Sequence, residues 1–380
     1  MPRIDCLRTA PIERTPRVKQ VEGMFDIPPA QRSERCWRVT LPIETREWNI
    51  GLIVGPSGCG KSTLARECFG PFSEPSWPTD RAILDAFPPE LGIKEIVLLL
   101  SSVGFSSPPA WLRPYQQLST GEQFRVRIAR ALAESTDLAV IDEFTSVVDR
   151  TVARIGSAAV SRTVRAAAKR LVAVTCHYDV IDWLDPDWLY DPSVDESQWR
   201  GLQGRPQLPV EIFRVHRSAW QLFKHHHYLS CDLNPSAQCF VASVEDRPAA
   251  FVAVISGPGR HGGHFREHRL VCLPDFQGVG IGNALSAFVA SLYAARKRYF
   301  SRTSHPGMIR HRMSSSDWSC VSRPGLASRH SASALAKRGS AGRLAASFRF
   351  IGQPRREEAC RFGVLRTTRN SDAAPKSRLE

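Results

Sequence analysis

A chain of 380 residues, 42% apolar and 23% charged, is long enough for two or three globular domains with cores of their own. Its longest apolar run, Ile96-Val97-Leu98-Leu99-Leu100, is far too short to cross a bilayer, and Met1 to Cys6 lack the apolar stretch of a secretory leader. Ten cysteines scattered without a C-x-x-C pair argue against a disulfide framework and a zinc-ligand spacing, and so for reduced thiols in a cytoplasmic protein. The net charge of +14 leaves two readings open: contact with nucleic acid, or a solvated Arg-rich segment, since much of the excess lies towards the C-terminus.

Residues 1–44 are rich in Pro and Arg and carry little periodicity, so the sequence assigns them no firm structure. Within them Trp37 is placed either to stack on an adenine or to serve as an ordinary strand aromatic. The short apolar strand Asn49 to Val54 then runs into Gly55-Pro56-Ser57-Gly58-Cys59-Gly60-Lys61-Ser62-Thr63, and a helix follows. This is G-x-x-x-x-G-K-[ST], a phosphate cradle. The glycines let backbone N–H groups turn inward around an anion, and the helix aims its positive end at the same place. Lys61 would reach the β- and γ-phosphates, and Ser62 would place a hydroxyl on Mg²⁺.

Five prolines between Pro71 and Pro89 mark irregular connections, after which Leu91 to Val103 predicts a short apolar helix. Leu118-Ser119-Thr120-Gly121-Glu122-Gln123 opens another: Ser119 can cap it, and N–H groups around Gly121 can face an anion. The run Leu138 to Ile141 reads as a buried parallel strand that delivers Asp142 and Glu143 at its C-terminal edge. Asp142 suits Mg²⁺, and Glu143 suits a base that polarises an attacking water. A further buried run, Leu171 to Cys176, ends in His177, which from that edge can reach the γ-phosphate side of a nucleotide.

In order, Gly55 to Thr63, Leu118 to Gln123, Leu138 to Glu143, Ser146-Val147-Val148-Asp149 and His177 resemble the motif set of the ABC ATPase family. These are its Walker A loop, signature, Walker B strand, D-loop and switch histidine. The resemblance spans about residues 45–195 and implies an α/β P-loop NTPase domain that uses ATP and Mg²⁺. It also implies two such units paired head to tail, each ATP held between one unit's Walker A loop and the other's signature, Ser119 and Gly121, with Asp149 close by. One motif set per chain implies a homodimer, or a partner with its own set. Two departures stand out. Thr120 occupies a signature position usually Ser or Gly, and no glutamine stands at the family's Q-loop position. Transporters of the family couple to membrane domains through that loop and a helical insert, so their reduction implies a soluble ATPase.

Asp185 to Gln207 is rich in Pro, Gly and Asp and reads as a connection, with residues 196–209 as the linker proper. Glu211 to Val215 predicts a strand, and Gln238 to Ser243 and Ala249 to Ile255 flank a charged turn as a hairpin. The neighbouring His225, His226 and His227 do not share one face, which argues against a metal site. Arg269 to Leu285 is a strand, a Gly-rich turn and an Ala/Leu helix, a second anion-binding geometry. Its core, Gln277-Gly278-Val279-Gly280-Ile281-Gly282, fails the dinucleotide pattern and resembles Q/R-x-x-G-x-G/A, motif A of the GNAT acetyltransferases. That resemblance covers about residues 210–310. It implies an α+β acyl-CoA-binding domain, with Gln277, Gly278, Gly280 and Gly282 around the pyrophosphate of acetyl-CoA. Glu267 and His268 are its candidate bases; Tyr293 and Tyr299 are either acids or packing residues. Leu344 to Ile351 is expected to complete the sheet of a domain spanning 210–352, and 353–380 read as a basic, disordered tail.

The order of the halves resembles a little-characterised family in which an ABC-type ATPase is fused to an acetyltransferase domain. It implies an ATP-hydrolysing dimer that gates transfer of an acetyl group to an amine. Two other readings stay open: an ATP-gated nucleic-acid clamp with a CoA-sensing domain, and the ATP-binding subunit of a transporter.

Overall fold

The computed structural model describes residues 3–41, 43–200, 208–227, 232–258, 263–326, 344–365 and 376–379. The N-terminal segment is ordered into a ribbon: β1 (Arg3–Pro11) and β2 (Arg32–Thr40) pair antiparallel, with α1 (Pro16–Phe25) between them. Thr15 caps α1, and proline follows at its first position, the pairing that lets a helix begin at once.

The first half follows as β3 (Ile50–Val54), α2 (Lys61–Phe69), α3 (Ile93–Ser102), α4 (Pro108–Trp111) and α5 (Thr120–Glu134). It continues with β4 (Leu138–Ile141), α6 (Arg150–Ala166), β5 (Arg170–Thr175), α7 (Val180–Leu184), β6 (Trp188–Asp191) and β7 (Glu196–Trp199). The strands lie in the order β4-β5-β3-β6-β7, the first four parallel and β7 antiparallel. β3 is buried along its whole length, which is why it reads as an unbroken apolar run. Parallel pairing brings the ends at Val54, Ile141, Thr175 and Asp191 to one edge of the sheet.

Two of these strands fall where the sequence suggests a connection. β6 docks beside β3 because Trp188 fills the space over Gly51, where a Cβ would sit 2.0 Å from the indole. β7 extends the sheet from Glu196, inside the expected linker. Their partners lie far away in sequence, so local Pro and Asp content masked them. Residues 201–207 of that linker lie outside the described residues.

The second half comprises β8 (Val210–Val215), α8 (Trp220–Phe223), β9 (Gln238–Val244), β10 (Arg247–Gly257), β11 (His264–Cys272) and α9 (Ile281–Ala294). After these come β12 (Tyr299–Thr303), α10 (Pro306–Ser314), β13 (Trp318–Leu326), β14 (Leu344–Phe350), α11 (Arg356–Arg361) and β15 (Lys376–Leu379). They form one sheet, β13-β14-β12-β11-β10-β9-β8-β15, with α9 packed across its centre. β11 and β12 are its parallel pair, joined at Phe265–Tyr299 and Arg266–Phe300. Beyond that point β11 residues 267–272 and β12 residues 302–303 line a common cavity. On its other side β11 carries a bulge: Arg269 faces Ala253 and Glu267 faces Val254, leaving His268 as the extra residue.

The expected disordered tail needs correction. Residues 353–365 close the second core: Phe362 is 1% exposed, its ring 5.7 Å from Phe288 and 6.0 Å from Phe240. β15 pairs with β8, while residues 366–375 lie outside the described residues. The basic composition hid an apolar triplet, Ala359, Phe362 and Val364, spaced to bury one face of a short helix and the turn after it.

The halves are docked through the turn 275–278. Arg125 on α5, 1% exposed, donates to Asp275 O at 3.1 Å, and Ser106 N donates to Gln277 Oε1 at 2.6 Å. Arg162 on α6 donates to Gly278 O. Gly278 has φ +93°, and a Cβ there would lie 2.5 Å from Gly104 Cα and 2.9 Å from Ala159 Cβ. Ile155 of α6 is buried in the second core, and Arg154 pairs with Glu245 at 2.5 Å. Truncating Phe362 to Ala should cost the second half about 3–5 kcal/mol. Thermal melts of the two proteins check this, and an unchanged midpoint would return residues 353–365 to the periphery.

Candidate functional site

The nucleotide edge is assembled by parallel pairing, at the C-terminal ends where open α/β sheets bind ligands. Val54 leads into the Gly55–Thr63 loop, Ile141 into Asp142 and Glu143, and Thr175 into His177, with Val54 opposite Thr175 and Ile141 opposite Ala173. The structure thus brings Lys61, Ser62, Asp142, Glu143 and His177 to one edge of the sheet. Gly60 caps α2 in the left-handed region, φ +103°, ψ 9°. A Cβ on Gly58 would meet nothing within 4 Å, so the loop leaves open space of the kind a phosphate occupies. Lys61 Nζ is folded onto its own loop and donates to Pro56 O at 2.8 Å.

Trp37 lies against this loop. Its Nε1 donates to Cys59 O at 3.0 Å, and its ring would overlap any Cβ on Gly60. The turn after β4 is strained: Glu143 has φ +51° and Thr145 φ +67°, and Thr145 is fully buried. Asp142 Oδ1 accepts from Glu143 N at 2.9 Å, which turns the backbone and leaves the Glu143 side chain exposed. Ser62 stands in the first turn of α2 and Asp142 directly after β4, on this same edge of the sheet. Among the described residues no cluster of three His, Cys, Asp or Glu forms a protein-only cage.

Sequence reasoning missed Asp191. At the end of β6 its Oδ1 would lie 2.9 Å from a Cβ on Gly55, so the first motif glycine is required by a carboxylate. Burial works to raise the Asp191 pKa. Hydrogen bonds from Ser193 and Tyr178, with the charge of Lys61, outweigh it and hold the group below its usual range. The signal was a short apolar strand ending in Asp, the pattern already seen at Asp142.

Ser119 and Asp149 lie on the surface. Ser119 caps α5 in a reciprocal box with Glu122, and Asp149 caps α6 by accepting from Thr151 N at 2.9 Å and Val152 N at 3.1 Å. Gly121 lets α5 approach α6: a Cβ would come within 3.3 Å of Val152. Thr151 and Arg154, just inside α6, bind Arg247 and Glu245 of the second half.

The second site is a cavity of about 660 Å³ between the diverging β11 and β12, the turn 276–280 and α10. Gly280 caps α9 with φ +93° and ψ 4°, nearly the geometry of Gly60, and a Cβ there would meet nothing within 4 Å. Gly280 and Gly282 both face the cavity. Gln277 is otherwise engaged: its Oε1 accepts from Ser106 N, and its Nε2 donates to Cys272 O at 2.9 Å. Its side chain holds the turn in place, and Gln277 itself lines the cavity beside Gly278 and Gly280.

Glu267 is not a free base. It is buried in an ion pair with Arg312 at 3.2 Å and accepts from Ser286 at 2.5 Å and Ser301 at 2.8 Å. His268, the bulge residue, accepts from Asn234 N through Nε2 at 3.2 Å. Burial first, then the neighbouring arginines, push its pKa down to about 4, and His227 on the same wall is lowered to about 4 by burial and Arg269. Tyr293 and Tyr299 are fully buried packing residues, and Tyr293 donates to Gln238 Oε1 at 2.5 Å. The rim carries Arg162, Arg302 and Arg310 as well as Asp317, a cationic balance that suits a phosphorylated ligand.

Known proteins divide along the same line. Residues 204–309 match the Acetyltransferase (GNAT) family. A stretch of 130 residues is 31% identical to the zinc import ATP-binding protein ZnuC of Photorhabdus laumondii, covering 29% of this chain and 51% of that protein. The chain thus spans about half the length of this curated relative. Dimeric structures of the bacterial ABC transporter cassette MJ0796 align over 44% of this chain. They cover 93% and 94% of that cassette, with 18% and 19% identity and TM-scores of 0.35 and 0.36. Residues 204–309 thus resemble the GNAT acetyltransferases, and another stretch of the chain resembles an ATP-binding protein of an importer. Among the described residues no helix is long and apolar enough to cross a membrane.

The lowered imidazoles set a pH dependence. Above the unfolded value of about 6.5 His227 and His268 are neutral in both states and cost nothing. Between about 6.5 and 4 the unfolded chain takes up protons that the folded site refuses, so stability falls as pH drops. Replacing His268 by Gln should flatten that fall in denaturant melts between about pH 7.5 and 5; an unchanged slope would show that His268 titrates normally.

Proposed function

We propose that this chain is an ATPase that works as a head-to-tail dimer and couples its nucleotide cycle to transfer of an acetyl group from acetyl-CoA to an amine. ATP would lie on the Gly55–Thr63 loop, with Lys61, Ser62, Asp142 and Mg²⁺ balancing its charge, and with Ser119, Gly121 and Asp149 of a second copy closing over it. Glu143 would polarise the attacking water, and His177 would steady the γ-phosphate. In the second half the N–H groups around Gly278, Gly280 and Gly282 would hold the pyrophosphate of the acyl donor. Acetyl transfer then needs a deprotonated amine, which attacks the thioester and releases the CoA thiol. Glu267, tied to Arg312, leaves that proton to the cavity imidazoles or to water.

The observation that carries the coupling is where the second half docks. Its turn 275–278 rests on Gly104 and Ser106, immediately after α3, and on Arg125 of the helix that Ser119 caps. α10 packs on α3 itself. This is the stretch between phosphate loop and signature through which ABC transporters meet a membrane domain. Likeness to a zinc import ATP-binding protein favours a transporter role as the second reading. An acetyltransferase seated on the coupling stretch argues for the first.

Changing Glu143 to Gln should slow hydrolysis by about 10²–10⁴-fold and accumulate an ATP-bound dimer in size-exclusion chromatography. Turnover at the wild-type rate would remove Glu143 from that role. Labelled acetyl-CoA with cell extract should transfer label to an acceptor in an ATP-dependent way, lost in Lys61→Ala. Co-purification with a membrane protein and no label transfer would favour the transporter.

A further inference from the structure

The second cavity is not built by the second half alone. Leu98, Ser101 and Ser102 of α3 form part of its wall, and Arg162 of α6 stands at its rim beside the turn. Arg162 comes from the first half, yet its guanidinium donates to Gly278 O and lines the same cavity.

The peptide geometry of the turn makes this consequential. A trans peptide sets its C=O and its N–H on opposite sides. Gly278 O points at Arg162, so the N–H of Val279 points the other way. Gln277 O points at Gly104, lying 2.6 Å from where its Cβ would be, so the N–H of Gly278 is likewise turned away from the nucleotide half. Carbonyls on one side of the turn grip the first half, which leaves amides on the other side to grip an anion. A guanidinium on the carbonyl also polarises the peptide and strengthens its N–H as a donor.

We propose that Arg162 is a positioning residue of the acyl-donor site, acting through the Gly278–Val279 peptide, so that the site is complete only when both halves are docked. The ligand class is a phosphorylated thioester carrier, and Arg162 serves it by orienting and polarising the Gly278–Val279 peptide, whose N–H faces the anion. This rests on the acyl-donor reading of the cavity proposed above. Arg162 is exposed at the surface of α6 rather than part of a core, so it can be replaced without opening a void.

The test is equilibrium titration of coenzyme A into the full chain carrying Arg162, Arg162→Lys, Arg162→Gln or Arg162→Ala. The expected result is binding weakened by about tenfold or more for Gln and Ala, with Lys retaining most of the affinity because it keeps the charge. Affinities within about twofold across all four proteins would overturn the proposal, as would a Gln variant that binds as well as Lys. Lys and Gln differ in charge at similar length, so this comparison holds even if Ala perturbs folding, and unchanged ATP binding by each variant reports an intact nucleotide half. Failure of the parent chain to bind coenzyme A would overturn the acyl-donor reading itself, an outcome distinct from tight binding by every variant.

Discussion

Arg125 reaches from the helix behind the Ser119 cap, passes Gly104, and ends on Asp275 O in the other half of the molecule. A guanidinium 1% exposed is costly to desolvate, and burial lowers its pKa against the attraction of Asp275. Its acceptor among the described residues is a backbone oxygen of the second half. Separating the halves would therefore take that acceptor away from the guanidinium. Gln277 and Gly278 close the same contact with hydrogen bonds to Ser106 and Arg162, in a gap too narrow for any side chain on Gly278. Interfaces this close move as units, since packed groups cannot give by fractions of an ångström without losing contact.

The two glycine loops on either side of this contact are built alike. Each has a strand, a glycine turn and a helix capped by glycine in the left-handed region, with backbone angles at Gly60 and Gly280 within about 10° of one another. Each helix adds its positive end to N–H groups that no internal partner claims. They differ in their surroundings. The first loop is backed by Trp37 and bordered by the Asp191 carboxylate, whereas the second is backed by the other half of the chain. Strain is concentrated at the first site, in the left-handed Glu143 and Thr145, where a Thr side chain carries a steric penalty of order 1–3 kcal/mol. The buried sheet around β3 and β5 is rigid enough to hold that turn.

The second core shows how a charged group can be structural. Arg312 and Glu267 are both buried, joined at 3.2 Å, with Ser286 and Ser301 satisfying the carboxylate and Trp318 covering the guanidinium at 4.4 Å. The arrangement ties β11, α9, β12 and α10 together around the floor of the cavity. It also shows that the Glu267 carboxylate is fully engaged inside the fold.

Local pattern was enough for much of the molecule. The nine residues from Gly55 to Thr63 need one strand before them and one helix after, so their geometry was legible at short range. The same holds for the Ser119 cap, the Asp142–Glu143 strand end and the glycine turn through Gly278, Gly280 and Gly282. What the sequence alone could not decide was anything set by distant partners. β6 became a strand because Trp188 fills the space above Gly51; Asp191 reached the phosphate loop because β6 lies beside β3; residues 353–365 folded because Phe362 found Phe288 and Phe240. The seating of the second half on Gly104, Arg125 and Arg162 belongs to the same class. Hydrogen-bond patterns and glycine angles are fixed by neighbours along the chain, but burial and docking depend on which surfaces meet, and tertiary structure alone settles that.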